Sequence, residues 1–261
     1  MNDPKYFEMA SKKSWEMYPL KKIVDFIHEK HETGEIKNIL ELGCGMAEIL
    51  PYLPPSMHYT GIEPNAYCIE KLHQQYPHHT FLQGKAESIP SAPSSVDLVF
   101  ATNVMEHVSD PEKVLSETLR VLRPGCCIIV YGPNYENPHA HIRAIRHYSI
   151  LRTVIFSIRR YTDFMMRGLG CIPFRKLSDG YTDATGKYEI KDDDLRYLAG
   201  RYEIGAWLGR NGFKKVYSQK PAAFGTGMKG FLRWLLTQWP PFQNMWDTSM
   251  LIIYEKNPST P

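Results

Sequence analysis

Residues 39–47 read Ile-Leu-Glu-Leu-Gly-Cys-Gly-Met-Ala, or ILELGCGMA. The short apolar run NILEL ahead of the glycines has the length and content of a buried strand. Two glycines one residue apart then open a turn into MAEILPYL, which reads as a short helix broken at Pro54-Pro55. Gly43 and Gly45 let a backbone approach a ligand closely. Glu41 stands just before the first of them, so a negative charge lies near the C-terminal end of a buried strand. Open α/β sheets bind their ligands at that edge.

Working outward, apolar strands alternate with helical stretches. HYTGIEP (58–64) reads as a second strand, NAYCIEKLHQQY (65–76) as a helix, TFLQG (80–84) as a third strand and VDLVFATNV (96–104) as a fourth. Asp110-Pro111-Glu112 is a helix start, with an N-cap acid, proline at the first position and an acid in the first turn. The helix PEKVLSETLRVL presents Leu115, Leu119 and Leu122 to the core and stops at Arg123-Pro124-Gly125, before the fifth strand CCIIVYG (126–132). Strands alternating with helices predict a parallel sheet covered on both faces. After Gly132 the rhythm breaks for about sixty residues, an insertion at a strand's C-terminal edge. YEIGAWLGRNGF (202–213) then reads as a helix stopping at Asn211-Gly212, and FKKVYSQ and SMLIIYEKN as two last strands. Upstream, residues 5–33 space Trp15, Tyr18, Leu20, Ile23, Val24 and Ile27 for one apolar side of a helix. The expected organisation is a helical segment over 1–35, a ligand-binding core over 36–134, an inserted cap over 135–200, and completion of the core sheet by 201–261.

Composition narrows the class. A chain of 261 residues with 43% hydrophobic residues builds a substantial core, and a net charge of +3 does not by itself point to nucleic acid. Five cysteines without regular spacing argue against a disulfide framework and for a reducing, cytoplasmic setting. The N-terminus lacks the apolar core of a secretory signal, and no apolar run approaches the ~20 residues of a membrane span. No CxxC pair is present, and His139-Ala140-His141 has only Glu136 beside it, so no metal is expected.

Glu63 ends the second strand about twenty residues beyond the glycine turn, where a carboxylate accepts hydrogen bonds from two ribose hydroxyls. Glycines plus acid specify a nucleoside cofactor. Two features favour S-adenosylmethionine over a dinucleotide. Ala47 stands where a third glycine would be, and Glu41 would repel a pyrophosphate while attracting a ligand that carries an ammonium and a sulfonium.

With these motifs in order, ILELGCGMAEIL, YTGIEP, GKAESIP and VDLVFATNVMEHVSDPEKVLSETLRVLRPGCCIIVYGPN, the chain resembles the class I S-adenosylmethionine-dependent methyltransferases. It is most similar to those of the ubiquinone/menaquinone-biosynthesis type. The resemblance covers about residues 36–134, with the last helix and strands. It implies a Rossmann-like, seven-stranded, mostly parallel sheet flanked by helices. It also implies cofactor contacts from Glu41, Gly43 and Gly45 near the methionine portion, Glu63 at the ribose, Ala86 and Glu87 at the adenine, and Asn103 along the amino-acid part. Glu106-His107 matches the family's helix after strand four. Lys85 departs from the family, standing where an adenine-binding Asp is frequent, so adenine recognition falls to backbone and Glu87.

Methyl transfer from a sulfonium is an in-line displacement, and an alcohol nucleophile gains from a base of near-neutral pKa. His139 is the candidate base, with Tyr135 and His141 as substrate contacts, all beyond the fifth strand. NVME replaces the NPPY of amino-methylating enzymes, which favours oxygen as the acceptor atom. The insertion is strongly basic between His141 and Lys176, with Asp163 as its one acid, and Ala144, Tyr148, Leu151, Ile155 and Ile158 are helix-spaced. It is read as a cap over a small-molecule acceptor, or as a contact to an anionic membrane, and GFLRWLLTQWPPF suits an interface too. The acceptor is then a small molecule, or a lipid-linked or surface-glycan group at the membrane surface. Nucleic acid is not expected as a partner. The competing class is a non-catalytic module that only binds the cofactor.

Overall fold

In the computed structural model, the residues described are 19–135, 149–167, 174–176, 196–219, 227–236 and 249–260. Helix α1 spans Leu20–Glu32 and buries Leu20, Ile23, Phe26 and Ile27, the one-sided spacing read from the sequence. Trp15 and Tyr18 lie outside the described residues. Strands β1 (Asn38–Leu42), β2 (His58–Glu63), β3 (Thr80–Gln83), β4 (Val96–Thr102) and β5 (Leu122–Pro133) follow, with helix α2 (Ala66–Gln75) between β2 and β3 and helix α3 (Pro111–Val121) between β4 and β5. The turn after β1 holds only a 3-10 turn at Leu50–Tyr52, where the sequence reading places a short helix. Pro51 within it, and Pro54-Pro55 behind it, leave too few backbone donors for an α-helix.

Beyond β5, helix α4 spans Ile150–Arg167, and the short strands β6 (Arg175–Lys176) and β7 (Tyr197–Leu198) pair with each other antiparallel. Helix α5 (Arg201–Arg210), strand β8 (Phe213–Ser218), helix α6 (Gly227–Leu236) and strand β9 (Ser249–Lys256) complete the described elements. The main sheet has seven strands in the order β3-β2-β1-β4-β5-β9-β8. All neighbours are parallel except β9, which runs antiparallel to both β5 and β8. The strand order reverses between β1 and β4, and a doubly wound sheet opens its ligand crevice at such a switch point.

Successive residues of each strand feed opposite faces. Leu40, Leu42, Val99, Ala101, Ile128, Val130 and Ile252 join α3 and α5 in one core. Ile39, Tyr59, Leu98, Phe100, Ile129, Leu251 and Ile253 join α1 and α2 in the other. Helix α3 is fixed at both ends. The Asp110 side chain accepts from the Lys113 N–H at 3.0 Å, and the fully buried Lys256 Nζ donates to the Leu119 and Leu122 carbonyls, each at 3.1 Å. The lysine thus satisfies carbonyls that a helix end leaves open. Burial holds its pKa below the usual lysine value.

Of the insertion's helix-spaced residues, Ala144 and Tyr148 lie outside the described residues. The helix-spaced Leu151, Ile155 and Ile158 are exposed, while Phe156, Arg160, Asp163 and Phe164 are buried. Both carboxylate oxygens of Asp163 accept from Arg175, Oδ2 from Nε and Oδ1 from Nη2, which ties α4 to β6. The Arg196 and Tyr197 N–H groups donate to the Glu106 carbonyl at 2.8 and 3.1 Å, which ties β7 to the turn after β4.

Candidate functional site

The C-terminal ends of β1, β2 and β4 meet at the switch point, and the turn after β1 is the most unusual backbone there. Gly43, Gly45 and Ala47 all have positive φ, at 63°, 53° and 52°. The Cys44 N–H donates to the Ile62 carbonyl at 3.0 Å and the Ala47 N–H to the Cys44 carbonyl at 2.7 Å, so the turn is held by its own backbone bonds. The two glycines answer different demands. A Cβ on Gly43 would sit 2.6 Å from Val104 Cγ2, so this glycine lets the turn pack against the segment after β4. A Cβ on Gly45 would meet nothing within 4 Å, so open space lies on that side of it. The sequence reading assigned both glycines to the ligand.

Glu63 ends β2 with its carboxylate buried. Oε2 accepts the Gly45 N–H at 3.1 Å and Oε1 accepts the Asn65 N–H at 3.0 Å. Burial raises its pKa, against the pull of those two donors. The acid therefore braces the glycine turn and keeps unused lone pairs on both oxygens, since a carboxylate has about four acceptor positions.

Glu41 lies deeper, 3% exposed, on the face of β1 that meets α1 and α2. It accepts the Tyr59 hydroxyl at 2.5 Å. Its register partner on β2 is Gly61, where a Cβ would come within 2.7 Å of Cys44 Sγ. Burial and the neighbouring Glu41 and Glu63 charges push the Cys44 thiol well above its usual pKa, which leaves it a packing group and not a nucleophile.

Asn103 follows β4 with φ at 55°, and its N–H donates to the Tyr131 carbonyl at 2.8 Å. Its Oδ1 lies 3.9 Å from the point where a Cβ on Gly132 would stand, and Glu106 Oε2 lies 3.6 Å from the same point. Asn103, Glu106 and Gly132 thus converge at the mouth between β4 and β5. Glu106 is 4% exposed, with His107 Nε2 at 3.8 Å. Sequence reasoning placed Glu106-His107 on a helix, whereas both lie in the turn ahead of α3. An acid just past a strand's C-terminal end was the signal that could have marked Glu106 as a site residue.

Ala86 is buried in the core below the turn after β3, and Lys85 is exposed. Glu87 Oε1 accepts the Ser109 N–H at 2.7 Å and the Ser109 hydroxyl at 2.5 Å. Burial acts to raise the Glu87 pKa, but the Ser109 bonds outweigh it and hold the carboxyl below its usual range. Glu87 therefore clasps the β3 turn to the segment before α3. Tyr135 is half-buried at the end of the described stretch, whereas His139 and His141 lie outside the described residues. Among the described residues, no group of three or more His, Cys, Asp or Glu side chains is placed to hold a metal ion.

Comparison with known proteins points to one family. Residues 40–130 match the model of a methyltransferase domain. The chain is 33% identical over 129 residues to thiol S-methyltransferase TMT1B of Rattus norvegicus, covering 46% of this chain and 49% of the relative. It is 32% identical over 105 residues to the trans-aconitate 2-methyltransferase of Azoarcus sp. (strain BH72), covering 38% and 41%. The chain spans about half the length of the curated relatives it matches, or less. Among solved structures, a SAM-dependent methyltransferase from Methanosarcina mazei superposes with a TM-score of 0.55 at 19% identity, covering 92% of this chain and 98% of the other. The plantazolicin methyltransferase BpumL, solved with a desmethyl plantazolicin analogue and SAH, gives 0.54 at 14% identity, covering 98% and 92%. At these identities the likeness is one of fold.

Proposed function

We propose that residues 40–130, which match the model of a methyltransferase domain, form a class I S-adenosylmethionine-dependent methyltransferase core, and that the protein methylates a small-molecule acceptor, with oxygen as the favoured acceptor atom. One observation carries the reading: the left-handed Gly43-Gly45-Ala47 turn is braced by a buried carboxylate that retains acceptor capacity. The residues fit the cofactor. Glu63 offers two free acceptor positions for a ribose diol, and the open side of Gly45 admits a ligand against the backbone. When bound, S-adenosylmethionine supplies a methyl group already activated on a sulfonium.

The chain's own residues then do the rest. Glu63 orients the nucleoside end. Glu41 supplies a fixed negative charge beneath the turn, and its charge favours a cationic ligand through the protein interior. Asn103 lines the amino-acid part, and Ala86 with Glu87 shapes the adenine end. Tyr135 and His141 contact the acceptor, and His139 takes the proton from its hydroxyl. The anchoring of β7 on Glu106 supports reading residues 135–200 as a cap on the acceptor side.

A sulfur acceptor is a second reading, supported by the thiol S-methyltransferases among the relatives. A thiol with pKa about 8.5 needs little help from a base. A lipid-linked acceptor is a third, supported by the exposed apolar helices α4 and α6. Incubation with methyl-labelled cofactor and a panel of phenol, alcohol, carboxylate and thiol acceptors tests the proposal. Label in an oxygen acceptor, lost in His139→Ala, is the expected result. Label in thiols that survives that substitution moves the assignment to sulfur. Cofactor binding without label in any acceptor or extract fraction leaves a binding module.

A further inference from the structure

Two helices expose apolar surface that the cofactor cradle does not explain. On α4, Ile150, Leu151, Val154, Ile155, Ile158 and Met165 are exposed, Ile150 at 86%. At 3.6 residues per turn they fall in one continuous arc of about 140°. Thr162 shares that arc, and its hydroxyl donates to the Arg159 carbonyl at 2.8 Å, so it asks nothing of its surroundings. The Thr153 and Ser157 hydroxyls are likewise turned back on helix carbonyls. Exposed Arg152 and Arg159 border one edge of the arc. The single acid of the helix, Asp163, is buried against Arg175 on the opposite side.

Helix α6 repeats the plan. Met228, Phe231, Leu232, Leu235 and Leu236 are exposed, Met228 at 73% and Phe231 at 54%, and they too span about 140° of the wheel. Lys229 is exposed at the edge, the buried Gly230 faces inward, and the helix contains no acid. Two separate segments thus show the same design: an outward apolar arc, a cationic border and no exposed carboxylate.

We propose that α4 and α6 dock the protein onto an anionic lipid bilayer, lying in the plane of the interface with their apolar arcs among the acyl chains and their cations at the headgroups. In-plane amphipathic helices bind in this way, and basic residues at the border favour acidic lipids. Among the described residues no helix is long and apolar enough to cross a membrane, which fits lying on it. Charge selects lipid over a second copy of the chain, because an isologous contact would set Arg152, Arg159 and Lys229 against like charges. Through Asp163–Arg175, and through β7 on the Glu106 carbonyl, the docked α4 would stay connected to the turn after β4.

The test is flotation of the full chain with vesicles of phosphatidylcholine alone and with about 30% phosphatidylglycerol. Wild type is expected to float with the acidic vesicles and to stay largely unbound with the neutral ones. Ile158→Glu and Phe231→Glu, both at exposed positions, should each lower the bound fraction at least about tenfold. Arg152→Glu/Arg159→Glu should erase the preference for acidic lipid. Circular dichroism of each variant checks that the fold is kept, so a loss of flotation reports the surface itself. Wild type that stays at the bottom with both vesicles overturns the proposal, as does Ile158→Glu floating like wild type. A dimer seen by light scattering, dissolved by the same substitutions in a protein that does not float, assigns the face to a second copy instead.

Discussion

Removing the Glu63 carboxylate is the sharpest test of the cradle. Two of its roughly four acceptor positions hold the Gly45 and Asn65 N–H groups, which leaves two for a vicinal diol. A hydrogen bond to a charged acceptor contributes about 1.5–3 kcal/mol. Losing two therefore predicts a loss of at least about 3 kcal/mol in Glu63→Ala, close to 100-fold in Kd at 1.4 kcal/mol per decade. If water recovers half of that, the loss is still above about tenfold. Calorimetry with S-adenosylhomocysteine measures it. Urea unfolding of the same variant separates the damage from freeing two backbone donors, about 1–3 kcal/mol each where they stay buried.

Acidity gives an independent handle on the same residue. Burial raises the Glu63 pKa, so affinity should fall on acidification from a higher pH than an ordinary glutamate would show, and Glu63→Gln should abolish that dependence. The apo protein should respond with the opposite sign. A carboxyl whose folded pKa exceeds its unfolded one binds more protons when folded, so its contribution to stability grows as pH falls through that window. A Glu63→Ala protein that is folded and binds within threefold of wild type would refute the assignment of this acid to the ribose.

Further outcomes are expected elsewhere. Gly43→Ala combines a Cβ 2.6 Å from Val104 Cγ2 with a left-handed backbone, and should lower both stability and cofactor affinity. Adding Val104→Ala relieves the clash but leaves the conformational penalty of about 1–2 kcal/mol, so thermal unfolding of the pair should recover only in part. Lys256→Met strips the α3 end of its donor and should cost about 1–2 kcal/mol in urea unfolding. Because burial lowers the pKa of this lysine, wild-type stability should rise with pH in the alkaline range, and that rise should be absent from the variant. His139→Ala should remove most turnover on an oxygen acceptor while S-adenosylhomocysteine affinity stays within about twofold; unchanged rates send the base elsewhere.

The core strands were legible because both faces of a parallel sheet are buried, so β1, β4 and much of β5 read as apolar runs bounded by turns. Asp110-Pro111 likewise announced α3 through local chemistry, and Asn211-Gly212 the end of α5. Long-range partners were not legible. That Gly43 makes room for Val104, that Glu63 holds the Gly45 N–H, and that Glu87 spends its carboxylate on Ser109 each depend on segments about 20 to 60 residues apart meeting at the sheet edge. Ala47 carried the opposite lesson. It was noted as a substitute for a third glycine, yet its backbone adopts the left-handed turn all the same. The apolar spacing of α4 was read correctly as helical, but periodicity gives the width of a stripe and not which side faces the protein.

The Gly43–Val104 contact makes the two halves of the crevice a single mechanical part. The turn after β1 and the turn after β4 interlock like cog teeth, with no space for a side chain at residue 43. Natural variation or laboratory evolution at positions 103–107, aimed at a new acceptor, would therefore register in donor affinity as well. Libraries that diversify this turn should let residues 43 and 104 vary together.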